Sequence, residues 1–384
     1  MSRGVSGLGR LGSVLGIGVV STLAAAAPAV SQLSPGTAVG VSAFYETASI
    51  SDPEVTGWED LSVFSTLFAA QTELGQRVRL GISGGYARGE LTRLDGSSAT
   101  LSGLTDTEVT LSIPFANDFV VLSLIGVLPT GNSEQDADEA QVASIVAAEL
   151  LPFRVSHWGA GGGFGANVGF ARPVGPVGVA FGLGYVLGAE YNPVVDQDFA
   201  YRPGNALSVS AGLDASVGRA GKLAVQAAYH AYSDDQLDGG NLYQAGDRFQ
   251  VMGSYAFPLA SGSGIAYAGV VHRGGGAVAE LGTELSILGS PSQDLVLFGG
   301  GVRFALGSGV LVPDLAFRVF RREDAVGQGY VGRLGVAYEV PVGSLEMIPA
   351  VRAKLGSVED AMAVSSGLSG YDIGLTIRYR RAGR

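Results

Sequence analysis

The feature that most limits what this chain can become is the rhythm of its connections. From residue 37 onward, segments with polar and apolar residues at alternate positions follow one another with little between them but turns. Period 2 belongs to β-strands with one wet face and one apolar face. Sixteen such segments can be read, near 37–49, 58–73, 75–90, 100–114, 118–129, 154–171, 176–190, 204–218, 221–234, 245–258, 263–284, 293–306, 309–322, 329–341, 344–357 and 368–380. Their joins alternate. Short ones fall at 72–76, 114–118, 172–177, 218–222, 258–264, 306–309 and 341–344, and longer ones between them, the longest at 129–153. Tight turns at one end and longer loops at the other are the pattern of a transmembrane barrel, with the tight end periplasmic. A soluble sandwich has no reason to keep it. Sixteen strands also return the C-terminus to the side on which the first strand begins.

Composition narrows the choice further. Only 15% of the 384 residues are charged and 60 are glycine, against about 25% charged and about 7% glycine in ordinary soluble domains. Mean hydropathy is +0.30, yet past the N-terminus no apolar run approaches the ~20 residues of a helical span. With no cysteine, the fold relies on its backbone ladder and packing rather than on disulfides. The first residues carry Arg3 and Arg10, then an uncharged run from Leu11 to Ala27, then AAAAPA at 24–29. That is the form of a secretory signal, the alternative being a retained membrane anchor. The expected organisation is therefore a signal peptide at 1–29 and one barrel domain at 30–384, located in the outer membrane. A net charge of −11 argues against nucleic acid as a partner.

Strand parity assigns faces. Phe249, Val251, Tyr255 and Phe257 alternate with Arg248, Gln250, Met252 and Ser254; Tyr371, Ile373, Leu375, Ile377 and Tyr379 alternate with Asp372, Thr376 and Arg378. The apolar sets are assigned to lipid, with aromatic residues at both ends of the last strand forming interfacial girdles. The polar sets are assigned to the lumen. The same parity gathers Arg77, Arg79, Arg303, Arg318, Arg333, Arg352, Lys354 and Arg378 on inward faces, interleaved with Asp314, Glu339, Glu346 and Asp372. Two readings stand: a basic wall facing an acidic one, whose transverse field selects solutes, or an ion-pair ladder that stiffens the wall. Residues 134–151, rich in Ala and Glu with Val142, Ile145, Val146 and Leu150 at helical spacing, are read as a helix in the longest loop. It either folds into the mouth, covering the strand at 119–128, which is apolar on both faces, or lies on the rim.

The C-terminal DIGLTIRY, 372–379, resembles the β-signal of Gram-negative outer-membrane barrels, with Asp372, Gly374, Ile377 and Tyr379 in the matching places, although RRAGR follows the aromatic residue. The resemblance implies porin-like or transporter-like function, contact with outer-membrane lipid and lipopolysaccharide, and recognition of the last strand by barrel-assembly machinery. LIGVLPTGN, 124–132, is similar to a stretch in transporter barrels associated with aromatic-degradation pathways. That implies passive uptake of small compounds and supplies no binding residues.

Catalytic and metal signals are sparse. His157, His230 and His272 are the only histidines, far apart and without thiols, so no zinc-ligand spacing arises and no cofactor is called for. His230 near Ser233 and Asp234 does not have the geometry of a triad, leaving a membrane-embedded hydrolase as a remote alternative. GAGGGFG at 159–165 fits neither phosphate-binding glycine pattern and reads as close packing or a bend. The sequence reading is thus a non-enzymatic channel for small solutes, with a plugged structural or surface-interaction barrel as its rival.

Overall fold

The computed structural model describes residues 36–75, 78–116, 119–218, 221–278, 290–324 and 327–382. The expected signal peptide and Arg77 lie outside the described residues. In chain order the strands are β1 (Gly36–Ile50), β2 (Trp58–Leu74), β3 (Val78–Arg93), β4 (Ser98–Leu104), β5 (Thr107–Phe115), β6 (Val120–Leu128), β7 (Gly163–Val174), β8 (Val177–Gly188), β9 (Tyr201–Arg202), β10 (Ala206–Val217) and β11 (Gly221–Tyr232). They continue with β12 (Asp234–Leu237), β13 (Gly240–Gln244), β14 (Arg248–Leu259), β15 (Gly262–Arg273), β16 (Ala277–Val278), β17 (Gln293–Leu306), β18 (Gly309–Arg322), β19 (Gly329–Val342), β20 (Leu345–Glu359) and β21 (Ser365–Ala382). The helix is α1 (Ala137–Val146).

Every wall strand pairs antiparallel with its neighbour, and β1 pairs with β21, so the sheet closes on itself. β4 and β5 both pair with β3 and share one position in the wall, which gives a sixteen-strand barrel. Closure leaves no long unpaired edge. The short connections include two-residue turns: Leu306 pairs with Gly309 and Val342 with Leu345 across them. Gly307 and Gly343 open these turns at φ +57° and +62°, a region that costs glycine nothing and other residues strain.

Most of the exposed large apolar side chains point away from the lumen. Leu334 and Leu355 are 65% and 69% exposed, so the wall carries its large apolar residues outside, where a water-soluble fold would hide them. The buried apolar cluster lies instead within the mouth, between the wall and the loop that joins β6 to β7.

Several segments depart from the sequence reading. Residues 154–162 alternate like a strand but belong to that loop, and β7 begins only at Gly163. Gly161 and Gly162 take φ of +79° and +87°, which breaks an extended run. Similarly, the strand read as 263–284 ends at Arg273. The four short strands β9, β12, β13 and β16 form a separate small sheet outside the wall, which the period-2 reading missed. The helix is shorter than 134–151: Asp136 caps it by accepting from the N–H groups of Asp138 and Glu139 while Glu139 bonds back to the Asp136 N–H, and it ends at Val146.

Candidate functional site

Residues 129–162 form the most elaborate feature of the lumen. Their two ends are tied together at Asp106, in the break between β4 and β5. Its carboxylate accepts from the Gly131 N–H at 3.0 Å and the Ala160 N–H at 2.7 Å, and the Asp106 N–H donates to the Trp158 carbonyl at 3.0 Å. Gly131 and Gly159 lie backbone to backbone, where a Cβ on Gly131 would come within 2.2 Å of the Trp158 carbonyl oxygen. The PTG and GAGGG stretches of the sequence are thus the two sides of one neck. For GAGGG, close packing is what the backbone contacts display.

Beyond the neck the segment turns inward. α1 packs on β4 and β3, with Val142 and Val146 buried. Gly89 makes the approach possible, because a Cβ there would stand 2.8 Å from Val142 and 3.3 Å from the Trp158 ring. Trp158 is fully buried, and its indole N–H donates to the Ala87 carbonyl at 2.9 Å. Arg93 fixes the start of the helix through Asp138 at 2.6 Å and Gln141 at 2.8 Å. The helix thus occupies the mouth, covering β3 and β4 rather than the strand at 119–128.

The chain then crosses the lumen. Leu150 and Leu151 join the same buried cluster as Val271, Leu295, Phe320 and Val331 on β15, β17, β18 and β19. Arg318 on β18 donates to the Glu149 carbonyl at 3.2 Å, and the Glu149 carboxylate lies 4.0 Å from Arg248 on β14. The Arg154 N–H donates to Glu46 on β1 at 2.9 Å, while its guanidinium stacks 4.1 Å over Phe44. Lys354 on β20 stands 4.8 Å over the Phe153 ring. One segment therefore touches the wall on opposite sides.

The inward positions named from sequence lie on one arc, β17 to β21, apart from Arg79, which pairs with Glu73 at 3.8 Å on the facing strand. Within the arc the acids and bases meet. Arg303 clasps Glu339 with two nitrogens, Arg352 reaches Asp314 at 3.1 Å, Lys354 meets Asp372 at 2.5 Å and Arg378 meets Glu346 at 3.9 Å. Two of these pairs skip a strand. Arg352 reaches from β20 over β19 because Gly335 lies beneath it, where a Cβ would come within 2.2 Å of the arginine stem. Arg333 projects inward opposite Lys354, and its Nε finds no hydrogen-bond partner among the described residues. Sequence reasoning left Glu46, Asp106, Glu149, Arg154, Trp158 and Arg273 out of this constellation. A loop residue has no parity to betray it, and a lone Glu46 on a strand carries no motif.

The opposite face of the wall is largely apolar, with a few charged residues such as Arg88 and Glu90 on β3 sharing its parity. Phe249, Val251, Tyr255 and Phe257 on β14, and Tyr371, Ile373, Leu375, Ile377 and Tyr379 on β21, share it by register; Phe249 is 47% and Ile373 54% exposed. Tyr45 and Tyr371 pack with ring centroids 6.1 Å apart, and Tyr255 stacks on Phe257 at 5.7 Å. Facing the charged arc across the lumen, β5 to β10 present mostly small or uncharged side chains, among them Ser112 and Ser123, hydrogen-bonded at 2.9 Å, then Asn167, Gly182, Gly184 and Ser210. Glu108 on β5 and Asp214 on β10 are carboxylates on the same face.

The histidines are dispersed. His272 bonds Asp294 at 2.8 Å on the outer face, and His157 contacts Ser156 at 3.2 Å. His230 points inward opposite Arg248, while Ser233 accepts from the Asn205 N–H and Asp234 from Asn241.

No protein-family profile matches the chain, and no curated protein is similar to it. Among solved structures, it is similar to a bacterial polysaccharide outer membrane secretin, at 10% identity and a TM-score of 0.45, covering 90% of this chain and 99% of the other. A variant of the Rh. blastica porin gives 15% identity and a TM-score of 0.39, over 89% of this chain and 100% of the porin. The outer membrane channel DcaP of Acinetobacter baumannii gives 12% and 0.41, over 90% and 97%.

Proposed function

We propose that this protein is an outer-membrane channel for the passive passage of small solutes, constricted by the inward segment 129–162. One observation carries the reading: the closed wall is largely apolar outside and concentrates its ionised residues inside. Arginine facing hydrocarbon at mid-depth costs about 2–4 kcal/mol, so a wall that turns Arg303, Arg318, Arg333 and Arg352 inward and Leu334, Leu355 and Ile373 outward suits a membrane. Sixteen strands leave room for an aqueous passage even with one segment folded in. The free path runs beside the small side chains of β5 to β10, and the charged arc supplies the selectivity: Arg79, Arg303, Arg318, Arg333, Arg352, Lys354 and Arg378 with Asp314, Glu339, Glu346 and Asp372. The ion pairs neutralise much of that arc, so they stiffen the wall as well as tune it. Lipid and lipopolysaccharide surround the apolar belt, and the last strand is the natural contact for assembly machinery.

Purified protein in a planar bilayer tests the reading. Discrete current steps are expected; none in any salt would overturn it. The second reading, a plugged barrel without transport, is favoured by the apolar packing of Leu150, Leu151 and Trp158 across the mouth, and current steps would exclude it.

A further inference from the structure

Above the charged arc, the lumen holds a pair of cations that the ion-pair ladder does not neutralise. Arg248 begins β14 and Arg273 ends β15, and the two stand directly opposite each other on one rung, both facing inward. Their exposures are 7% and 9%. Like charges directly opposite on adjacent strands destabilise a sheet, and a rung that buries both arginines compounds that cost. The only carboxylate in ion-pair reach of either, among the described residues, is Glu149 of the inward segment, at 4.0 Å from Arg248. That distance is the outer limit of a contact. Arg248 Nε makes no hydrogen bond among the described residues although it is shut off from solvent. Tyr232, on the next inward position of β11 after His230, brings its hydroxyl beside Arg273. The rung therefore offers planar, forked donors and a hydroxyl with too little negative charge to meet them, at the edge of a lumen. Guanidinium forks match a carboxylate bidentately.

We propose that the Arg248–Arg273 rung is a binding station for the carboxylate of a small anionic solute, which competes there with the Glu149 side chain. This rests on the channel reading for its role in passage, and it names the class of solute. Glu149 acts as a tethered stand-in, holding the inward segment against β14 when no solute is bound. A solute carboxylate that takes its place satisfies both guanidiniums and frees the Glu149 end of the segment, which retains the bond from Arg318 to its backbone carbonyl.

The test uses malonate as probe and malonamide as its uncharged isostere, titrated into detergent-solubilised protein by calorimetry at low ionic strength. Wild type is expected to bind malonate and not malonamide. The double change Arg248→Gln with Arg273→Gln should weaken malonate about tenfold or more, the scale of one lost charge-assisted bond. Glu149→Gln should tighten it severalfold by removing the competitor. That variant also guards against misfolding, since it predicts a gain rather than a loss. Malonate binding that is absent in wild type, or equal in all three proteins, overturns the inference; bilayer current steps in the same preparations then leave the channel intact. Malonate binding as predicted without any current steps overturns the channel and the passage role while the site remains.

Discussion

Replacing Trp158 by Ala should unplug the mouth without unfolding the wall. The indole is fully buried, donates to the Ala87 carbonyl at 2.9 Å and rests against Gly89, in one buried cluster with Val63 and Leu101 of the wall. Removing a tryptophan from such a site costs about 3–5 kcal/mol. That loss falls on the docking of residues 129–162, because the wall is held by ladders that do not pass through Trp158. A change of that size moves a docked-to-undocked ratio by roughly a hundred- to several thousandfold. Segments that fold over a lumen open locally at a lower cost than the global unfolding of a domain, so the undocked form should become visible.

Three measurements on one sample check this. Heat modifiability on a gel should remain that of wild type, showing an intact barrel. Limited proteolysis should gain cuts between 134 and 156. Single-channel conductance should rise, or fluctuate between two levels. Met362→Ala is the control, because Met362 is 81% exposed in a different loop and should change nothing. A folded Trp158→Ala protein with wild-type conductance and wild-type proteolysis would refute the claim that this side chain holds the segment in place.

Leu375 lies outward on β21 between Tyr371 and Tyr379, so Leu375→Arg should cost about 2–4 kcal/mol and block assembly, whereas Thr376→Arg, on the inward face, should assemble; equal yields of heat-modifiable protein would undo the outward assignment. Asp106→Asn keeps the size of the neck residue but removes the charge that accepts from Gly131 and Ala160, an expected loss of about 1.5–3 kcal/mol, read as faster hydrogen exchange at those two amides with the wall amides unchanged. His157, enclosed by the segment, has its pKa pushed below the ordinary 6.5 by that enclosure, with Asp106 opposing. The imidazole therefore stays neutral when docked and binds a proton more readily when released. Docking should be complete above about pH 6.5 and weaken as pH falls below it toward the lowered value. Proteolysis of the segment at pH 7.5 and 5 measures this, and His157→Gln should flatten the difference; an equal acid response in both proteins assigns the effect elsewhere.

What could be read from the sequence is what depends on one strand at a time. Parity alone turns Leu375 one way and Asp372 the other, and this needs no knowledge of neighbours. The partners of these residues needed more. Arg352 meets Asp314 across an intervening strand and only because Gly335 leaves a gap; no local pattern states that residue 335 will lie under residue 352. The small outer sheet is a mixed case. Its β12–β13 hairpin turns at Asp238 and Gly239, with φ of +51° and +78°, and an Asp-Gly pair between short polar strands is a turn signal that could have been weighed. The pairing of Tyr201–Arg202 with Gln236 and Leu237 joins strands two to four residues long from separate loops, and nothing local predicts it.

The inward segment shows why charge and apolar burial had to be considered together. Its helix pattern, Val142 and Val146 with Ile145 between, was legible, but the face it covers was misplaced, because an apolar inward face on β6 looked like the obvious seat. The seat is set instead by absence of bulk: Gly89 and Ala87 on β3 leave a hollow that Val142 and Trp158 fill. The wall strand β6 keeps Val121, Ile125 and Val127 inward beside serine, threonine and glycine neighbours and, opposite Val127, Glu108, which lines the open side of the lumen with a mildly apolar track. A solute passing this track would meet apolar contact on one side and the cations of β14 to β20 on the other. Such a lumen favours molecules with one anionic end and one apolar end over simple inorganic ions. The comparison that decides it is permeation of butyrate against chloride: a barrel selecting by charge alone passes chloride faster, whereas the arrangement here should narrow or reverse that order, and substituting Ile125→Ser should restore it.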